Sequence, residues 1–147
     1  MSDLERRVDA ALGALGADYD RLGPRAWGVR LPSQARGTLT VGLDGRERTL
    51  RLTAFFMRAP DRNHEAVYGR LLAKNLEMFR WAFALDELGD VYMVARVPWA
   101  DVGEDLLDEL LGLALVYCDE VYEVTVRTGF DIPPDVSLSG PPPPPAG

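Results

Sequence analysis

The sequence predicts an α+β domain: an antiparallel five-stranded sheet with helices packed on one face, in the order α-β-β-β-α-β-β-α. Three observations predict it. Apolar residues recur at helical spacing in three separate stretches, near the start, middle and end of the chain. Between them the apolar period falls to two, as a half-buried strand requires. The two-period runs are joined by short polar turns rather than by helices, which favours antiparallel neighbours.

The opening "SDLE" has the Ser-x-x-Glu form of a capping box, with Ser2 accepting from the backbone and Glu5 reaching back. Leu4, Val8, Leu12 and Leu15 then repeat with helical period, and Gly16 supplies a stop. Three strands follow. Trp27, Val29 and Leu31 mark the first, Leu39, Val41 and Leu43 the second, and Leu50, Leu52, Ala54 and Phe56 the third. Asp44-Gly45 reads as the hairpin turn between the last two, because both residues tolerate positive φ. The opposite face of the third strand starts polar at Thr49, Arg51 and Thr53 and ends apolar at Phe55 and Met57.

A second helix is expected after Asp61 or Asn63, with Val67, Leu71, Leu72, Leu76 and Phe79 as its stripe. Trp81, Phe83 and Leu85, then Val91, Met93, Ala95 and Val97, form a second hairpin that Pro98 terminates. Asp101 and Glu104 resemble another cap, before a helix reaching about Arg127. That helix carries two apolar stripes. Leu107, Leu110, Leu111, Ala114, Tyr117, Cys118 and Val121 form one; Leu106, Leu113, Val116 and Val124 form the other. Covering one sheet face needs a single stripe roughly 100° wide, so the second needs a partner. Gly112, costing about 1 kcal/mol against alanine inside a helix, is compatible with close approach of another helix or with chance.

The bulk numbers bound the class. A chain of 147 residues fits one domain, and a domain of that size buries roughly 70% of its unfolded surface. Its 47% hydrophobic and 27% charged content is that of a soluble globular protein. A single cysteine excludes an intramolecular disulfide and a cysteine metal cluster, and fits a reducing compartment. The N-terminus lacks a signal-peptide apolar core, and "LLGLALVYC" falls far short of the roughly 20 residues of a membrane span, so the expected location is cytoplasmic with no membrane partner. Residues 1–130 form the expected domain, and the proline-rich 131–147 an extended tail.

Charge divides unevenly. Residues 1–80 carry 14 Lys/Arg and 10 Asp/Glu, residues 81–147 carry 2 and 13, and the net is −7. An acidic chain repels phosphate at long range, which argues against nucleic acid as a partner. Solvated faces account for most such asymmetry; a basic partner for the acidic half, or the basic half of a second copy, is the sharper reading.

No residue set dictates a reaction. Asp86, Glu87 and Asp90 interrupt two apolar runs, but they lack the alternating oxygen ligands of a calcium loop, and one turn does not place two carboxylates across a sugar. Turn chemistry at Gly89-Asp90 explains the same letters. A small enzyme or divalent-metal binder built on this acidic turn is the alternative. His64, the sole histidine, falls in a first helical turn, where protonation is disfavoured. Cys118 lies on the core stripe and reads as an inert thiol. No phosphate loop or nucleophile elbow is present. No catalytic residue, cofactor or metal site is therefore expected. Trp99, Phe55, Met57 and Tyr92 fit either core filling or an exposed apolar patch.

Two segments, "LLAKNLEMFRWAFALDELGDVYMVARVP" and "LLDELLGLALVYCDEVYEVTVRTGF", resemble the YbjN family of small bacterial proteins, often labelled sensory-transduction regulators. Asn75 in the second helix, the hairpin that follows, and the acidic leucine-rich last helix carry the likeness, which spans most of residues 1–130; Leu88 inside the acidic turn departs from the family's usual hairpin. The resemblance implies a fold similar to type III secretion chaperones, commonly dimers that hold extended segments of a client. The expected function is a non-enzymatic, homodimeric protein-binding module, chaperone-like or a regulatory adaptor, with a protein client or regulatory partner. Its candidate dimer or partner interface is Leu106, Leu113, Val116 and Val124, with Phe55 and Met57.

Overall fold

The computed structural model describes residues 2–138. Its elements are α1 (Asp3–Ala14), β1 (Asp18–Gly23), β2 (Ala26–Ser33), β3 (Gly37–Gly45), β4 (Thr49–Met57), α2 (His64–Asn75), β5 (Ala82–Leu85), β6 (Val91–Pro98), a 3₁₀ turn at Trp99–Asp101, and α3 (Glu104–Phe130). The sheet runs β1-β2-β3-β4-β6-β5, and every neighbouring pair is antiparallel. The capping box forms as the sequence implies: Glu5 N–H donates to Ser2 Oγ, and Ser2 N–H to Glu5 Oε2, both at 3.2 Å.

The sheet has six strands, not five. The additional strand, β1, reads "DYDRLG", and none of its residues is fully buried. An edge strand with only Tyr19 packed against the core shows no apolar alternation, so no period-two signal marks it. Arg30 holds it from β2, through Asp18 at 2.7 Å and Asp20 at 2.7 Å.

Two further expectations on β3 and β4 are corrected. Asp44 and Gly45 are not the hairpin turn; they pair within the ladder, opposite Arg51 and Leu50, and residues 46–48 make the reversal. Gly45 is needed instead for proximity, since a Cβ there would lie 3.2 Å from Leu4 and 3.1 Å from Arg25. Met57, expected on the outward face with Phe55, is fully buried. The β4–β6 register shifts between Phe55 and Met57, so Phe56 and Met57 turn inward in succession. A bulge breaks strict alternation in this way.

The core lies between the sheet and α3, which packs against α1, α2, β2 and β4. Trp27, Val29, Leu39, Val41, Leu43, Leu50, Leu52, Met93 and Val97 face it from the sheet, and Leu107, Leu110, Ala114 and Cys118 from the helix. The other sheet face carries Arg30, Thr53, Phe55, Tyr92, Val94 and Arg96 and stays half-exposed or exposed. Helix α3 starts later than the sequence suggests: Gly103, not Asp101, stands at its N-cap. It also runs past Arg127 to Phe130, where Asp131 at φ 54 ends it.

The C-terminal end of α3 is fastened through its backbone carbonyls. The carbonyl of Gly129 accepts the N–H groups of Asp61 and Arg62, each at 2.9 Å, and Thr128 O accepts Asn63 Nδ2 at 2.9 Å. Just before its N-terminal end, Val102 O accepts Arg7 Nη2 from α1 at 2.5 Å. Midway, Asp119 accepts from Ser33 Oγ at 2.6 Å and Ala35 N–H at 3.3 Å, tying the β2–β3 turn to the helix. Residues 131–138 do not leave the fold at once, since Ile132 and Leu138 pack against the core. The proline run at 141–145 lies outside the described residues.

Two outcomes follow from this packing. A Cβ at Gly129 would lie 2.9 Å from Pro60 Cβ and 3.3 Å from Met57 and Val67. Gly129→Ala is expected to lower unfolding free energy by about 1–3 kcal/mol in urea denaturation, the scale of overpacking. Burial, with Asp119 assisting against a lowering contact from Ser33, pushes the Cys118 thiol up to about 11. A thiol reagent at pH 8 should therefore label it only after denaturant is added; rapid native-state labelling would contradict its burial.

Candidate interaction surface

The acidic turn is built from its own backbone. Asp86 Oδ1 accepts the N–H groups of Leu88 at 2.9 Å and Asp90 at 3.0 Å. Asp90 Oδ1 accepts Ala59 N–H at 2.7 Å, joining the hairpin to the segment after β4. Gly89 adopts φ +85, and its carbonyl receives the Tyr68 hydroxyl at 2.9 Å. Burial, and then the charges of Asp90 and Asp86, raise the Tyr68 pKa, which keeps that hydroxyl a donor. Two of the three carboxylates thus brace the turn, and Glu87 points to solvent. Among the described residues no group of three or more His, Cys, Asp or Glu is placed to hold a metal ion. His64 begins α2 at the surface, with only the Tyr68 ring, 6.1 Å away, as a ring contact.

Exposed apolar area gathers instead where α2 ends. The expected stripe of the second helix ran to Phe79, but the helix stops at Asn75. Three tight turns follow, with Leu76, Glu77 and Met78 N–H groups donating to Ala73, Lys74 and Asn75 carbonyls at 3.1–3.3 Å. Arg80 then takes φ 70 and swings the chain into β5. Leu76 and Phe79 are thereby left outward, 93% and 58% exposed. Beside them on α3 lie Leu113, half-buried, and Val116, 50% exposed.

Polar contacts fix this junction. The Phe79 N–H donates to the Tyr117 hydroxyl at 2.8 Å. Lys74 pairs with Glu77 at 2.6 Å and with Glu120, and lies over the Tyr117 ring. Arg80 pairs with Glu109 at 3.1 Å and covers the Phe79 ring. Glu109, Leu113, Val116 and Glu120 share one side of α3 by helical spacing. The two ion pairs therefore bracket an apolar ridge whose backbone is held in place.

The six residues singled out from the sequence do not form one surface. Leu106, Leu113, Val116 and Val124 follow one side of α3; Leu106 and Leu113 are half-buried, and Val124 is 40% exposed. Phe55, 38% exposed, belongs to the opposite face of the sheet, where its ring meets Tyr92 edge-on at 5.5 Å. Met57 is in the core. The spacing of Leu76 and Phe79 predicts a buried helical stripe that the fold does not form there. The signal against that stripe was the non-glycine turn at Arg80, which carries no compositional mark.

The chain matches the family described as "YbjN: Putative bacterial sensory transduction regulator" over residues 6–125. It belongs to the YbjN family. Among similar proteins, uncharacterized protein ML2442 of Mycobacterium leprae is 35% identical over 102 residues, which are 69% of this chain and 55% of that protein. Uncharacterized protein Rv0487 of Mycobacterium tuberculosis is 34% identical over 107 residues, 73% of this chain and 58% of that protein. The chain thus spans little more than half the length of these relatives. A chain of the heterodimeric ExoU–SpcU complex, from the type III secretion system of Pseudomonas aeruginosa, superposes with a TM-score of 0.57. That match has 15% identity and covers 80% of this chain and 98% of the other, so the two share a fold. Among the described residues no helix is long and apolar enough to cross a membrane.

The turn's bracing has a measurable weight. Asp90→Ala, which orphans the Ala59 amide, is expected to cost about 1.5–3 kcal/mol of stability, as for hydrogen bonds to charged groups. Denaturant melts with and without millimolar calcium check both the loss and the carboxylates' structural role, since the wild-type midpoint should not move with the ion.

Proposed function

We propose that this YbjN protein is a non-enzymatic protein-binding module that acts as a homodimer, in the manner of a chaperone or a regulatory adaptor. The observation that carries the reading is the ridge of Leu76, Phe79, Leu113 and Val116, apolar, outward and bracketed by Lys74–Glu120 and Arg80–Glu109. Leu106 and Val124 extend it along α3 in both directions. Large apolar side chains on a rigid support favour association, because little side-chain freedom is lost when they are covered. Phe55 and Tyr92 offer a second, smaller apolar area on the open sheet face, available to a client while the ridge is occupied by the second copy.

Family membership supports a regulatory setting, and the fold shared with a chain of a heterodimeric secretion complex supports a protein rather than a metabolite as the partner. That the carboxylates of the acidic turn are engaged by backbone amides weighs against a catalytic pair there.

Light scattering on purified protein tests the reading. The wild type should run at about twice the 16.2 kDa of one chain. Phe79→Glu with Val116→Glu should halve that mass and leave the urea midpoint nearly unchanged, since exposed substitutions usually shift stability within about 0.5 kcal/mol. A doubly substituted protein of unchanged mass removes the ridge from the interface. A monomeric wild type removes the homodimer.

A further inference from the structure

The two edges of the sheet are protected by different means. Strand β1 presents Asp18, Asp20 and Arg21, and charge on an edge strand discourages pairing with another chain. Strand β5 is Ala-Phe-Ala-Leu, preceded by Trp81, with no charge in the run. An apolar edge without charge is a template for pairing, which the four-residue length of β5 limits but does not abolish.

Strand β5 pairs with β6 on one side only, through Ala82↔Val94, Phe83↔Met93, Ala84↔Tyr92 and Leu85↔Val91. On its other side, the Phe83 N–H donates to Asn75 Oδ1 at 2.7 Å, and Asn75 Nδ2 donates to the Phe83 carbonyl at 3.1 Å. The carboxamide therefore occupies both outward groups of the residue at the middle of the edge. Its orientation is fixed by chemistry, since the backbone amide needs an acceptor and the carbonyl a donor. Asn75 is the last residue of α2, so a helix terminus delivers the amide to the strand. Leucine would fit the same helical position with better propensity and would satisfy neither group.

We propose that Asn75 is an edge guard: its carboxamide stands where a neighbouring strand would be and keeps β5 from pairing with β5 of a second copy. A second copy is the occupant that the edge fits. Every strand pair in this sheet is antiparallel, and a strand meeting its own copy antiparallel presents the same outward groups on both sides by symmetry. No charge in the run opposes that meeting, and it would cover Leu72 and Leu85, exposed at 68% and 49% beside an apolar notch of about 70 Å³. The proposal stands whether or not the α2–α3 ridge is a dimer surface.

The test compares assembly size of the wild type, Asn75→Leu, and Asn75→Leu combined with Leu85→Lys, by light scattering across a hundredfold range of concentration. Circular dichroism confirms folding of each. Asn75→Leu is expected to form species larger than the wild type as concentration rises, and the added lysine on the edge is expected to return the wild-type mass. Wild-type mass for Asn75→Leu at every concentration overturns the proposal, as do larger species that the lysine does not reverse. If Asn75→Leu does not fold, Asn75→Ala decides: it removes both bonds to Phe83 without placing a charge on the edge, so self-association supports the guard and wild-type mass refutes it.

Discussion

The structure depends on one helix covering most of one face of a six-stranded sheet. At 27 residues α3 is about 40 Å long, and it alone packs against both β2 and β4 and against both other helices. Everything else is arranged so that it can lie there. The β2–β3 turn is tied to its middle by Asp119, the segment leading into α2 is hung from its last carbonyls, and Trp81 donates to Leu110 O at 2.9 Å. Its core stripe is made of Leu, Ala, Tyr, Cys and Val, without a charge, because desolvating a charge there would cost more than the packing returns. A helix so used has its other side committed to whatever lies outside the sheet. That is why its second stripe is the most informative feature of the surface.

Much of this was legible in the sequence, and the parts that were not share a cause. The capping box at Ser2, the doubled stripe of α3 and the alternation in β2, β3, β4 and β6 are periodic or local signals, and each survives in the fold. What escaped was set by geometry between elements. Strand β1 buries no residue fully, so it lacks the alternation that marks its neighbours. Met57 is drawn inward by a bulge that alternation cannot register. Asp44-Gly45 has the letters of a turn, but Gly45 is retained to let Leu4 and Arg25 approach. At the surface, Val116 and Val124 were visible as a second stripe, whereas Leu76 and Phe79 became exposed only because α2 unwinds at Asn75.

The acidic turn and Asn75 reverse the usual expectation about polar residues in an unassigned protein. Asp86 and Asp90 look like chemistry in the sequence and are framework in the fold, the Oδ1 of each accepting backbone N–H groups. Asn75 looks like filler at the end of a helix and closes a sheet edge. These polar side chains thus complete the backbone's hydrogen bonding, while apolar ones just after α2 and on α3 stay exposed. That division is the physical basis of the protein-binding role proposed above.

Chain order gives the position of α3 a consequence during synthesis. All six strands lie before residue 99, and the helix that covers them is the last element of the domain. At ribosomal rates of roughly 5–20 residues per second, its 27 residues take about 1–5 seconds to appear. Until α3 has folded onto the sheet, Val41, Leu43, Leu52 and Met93 lack the cover it gives them. The newborn protein therefore passes through a stage in which its greasiest surface is bare.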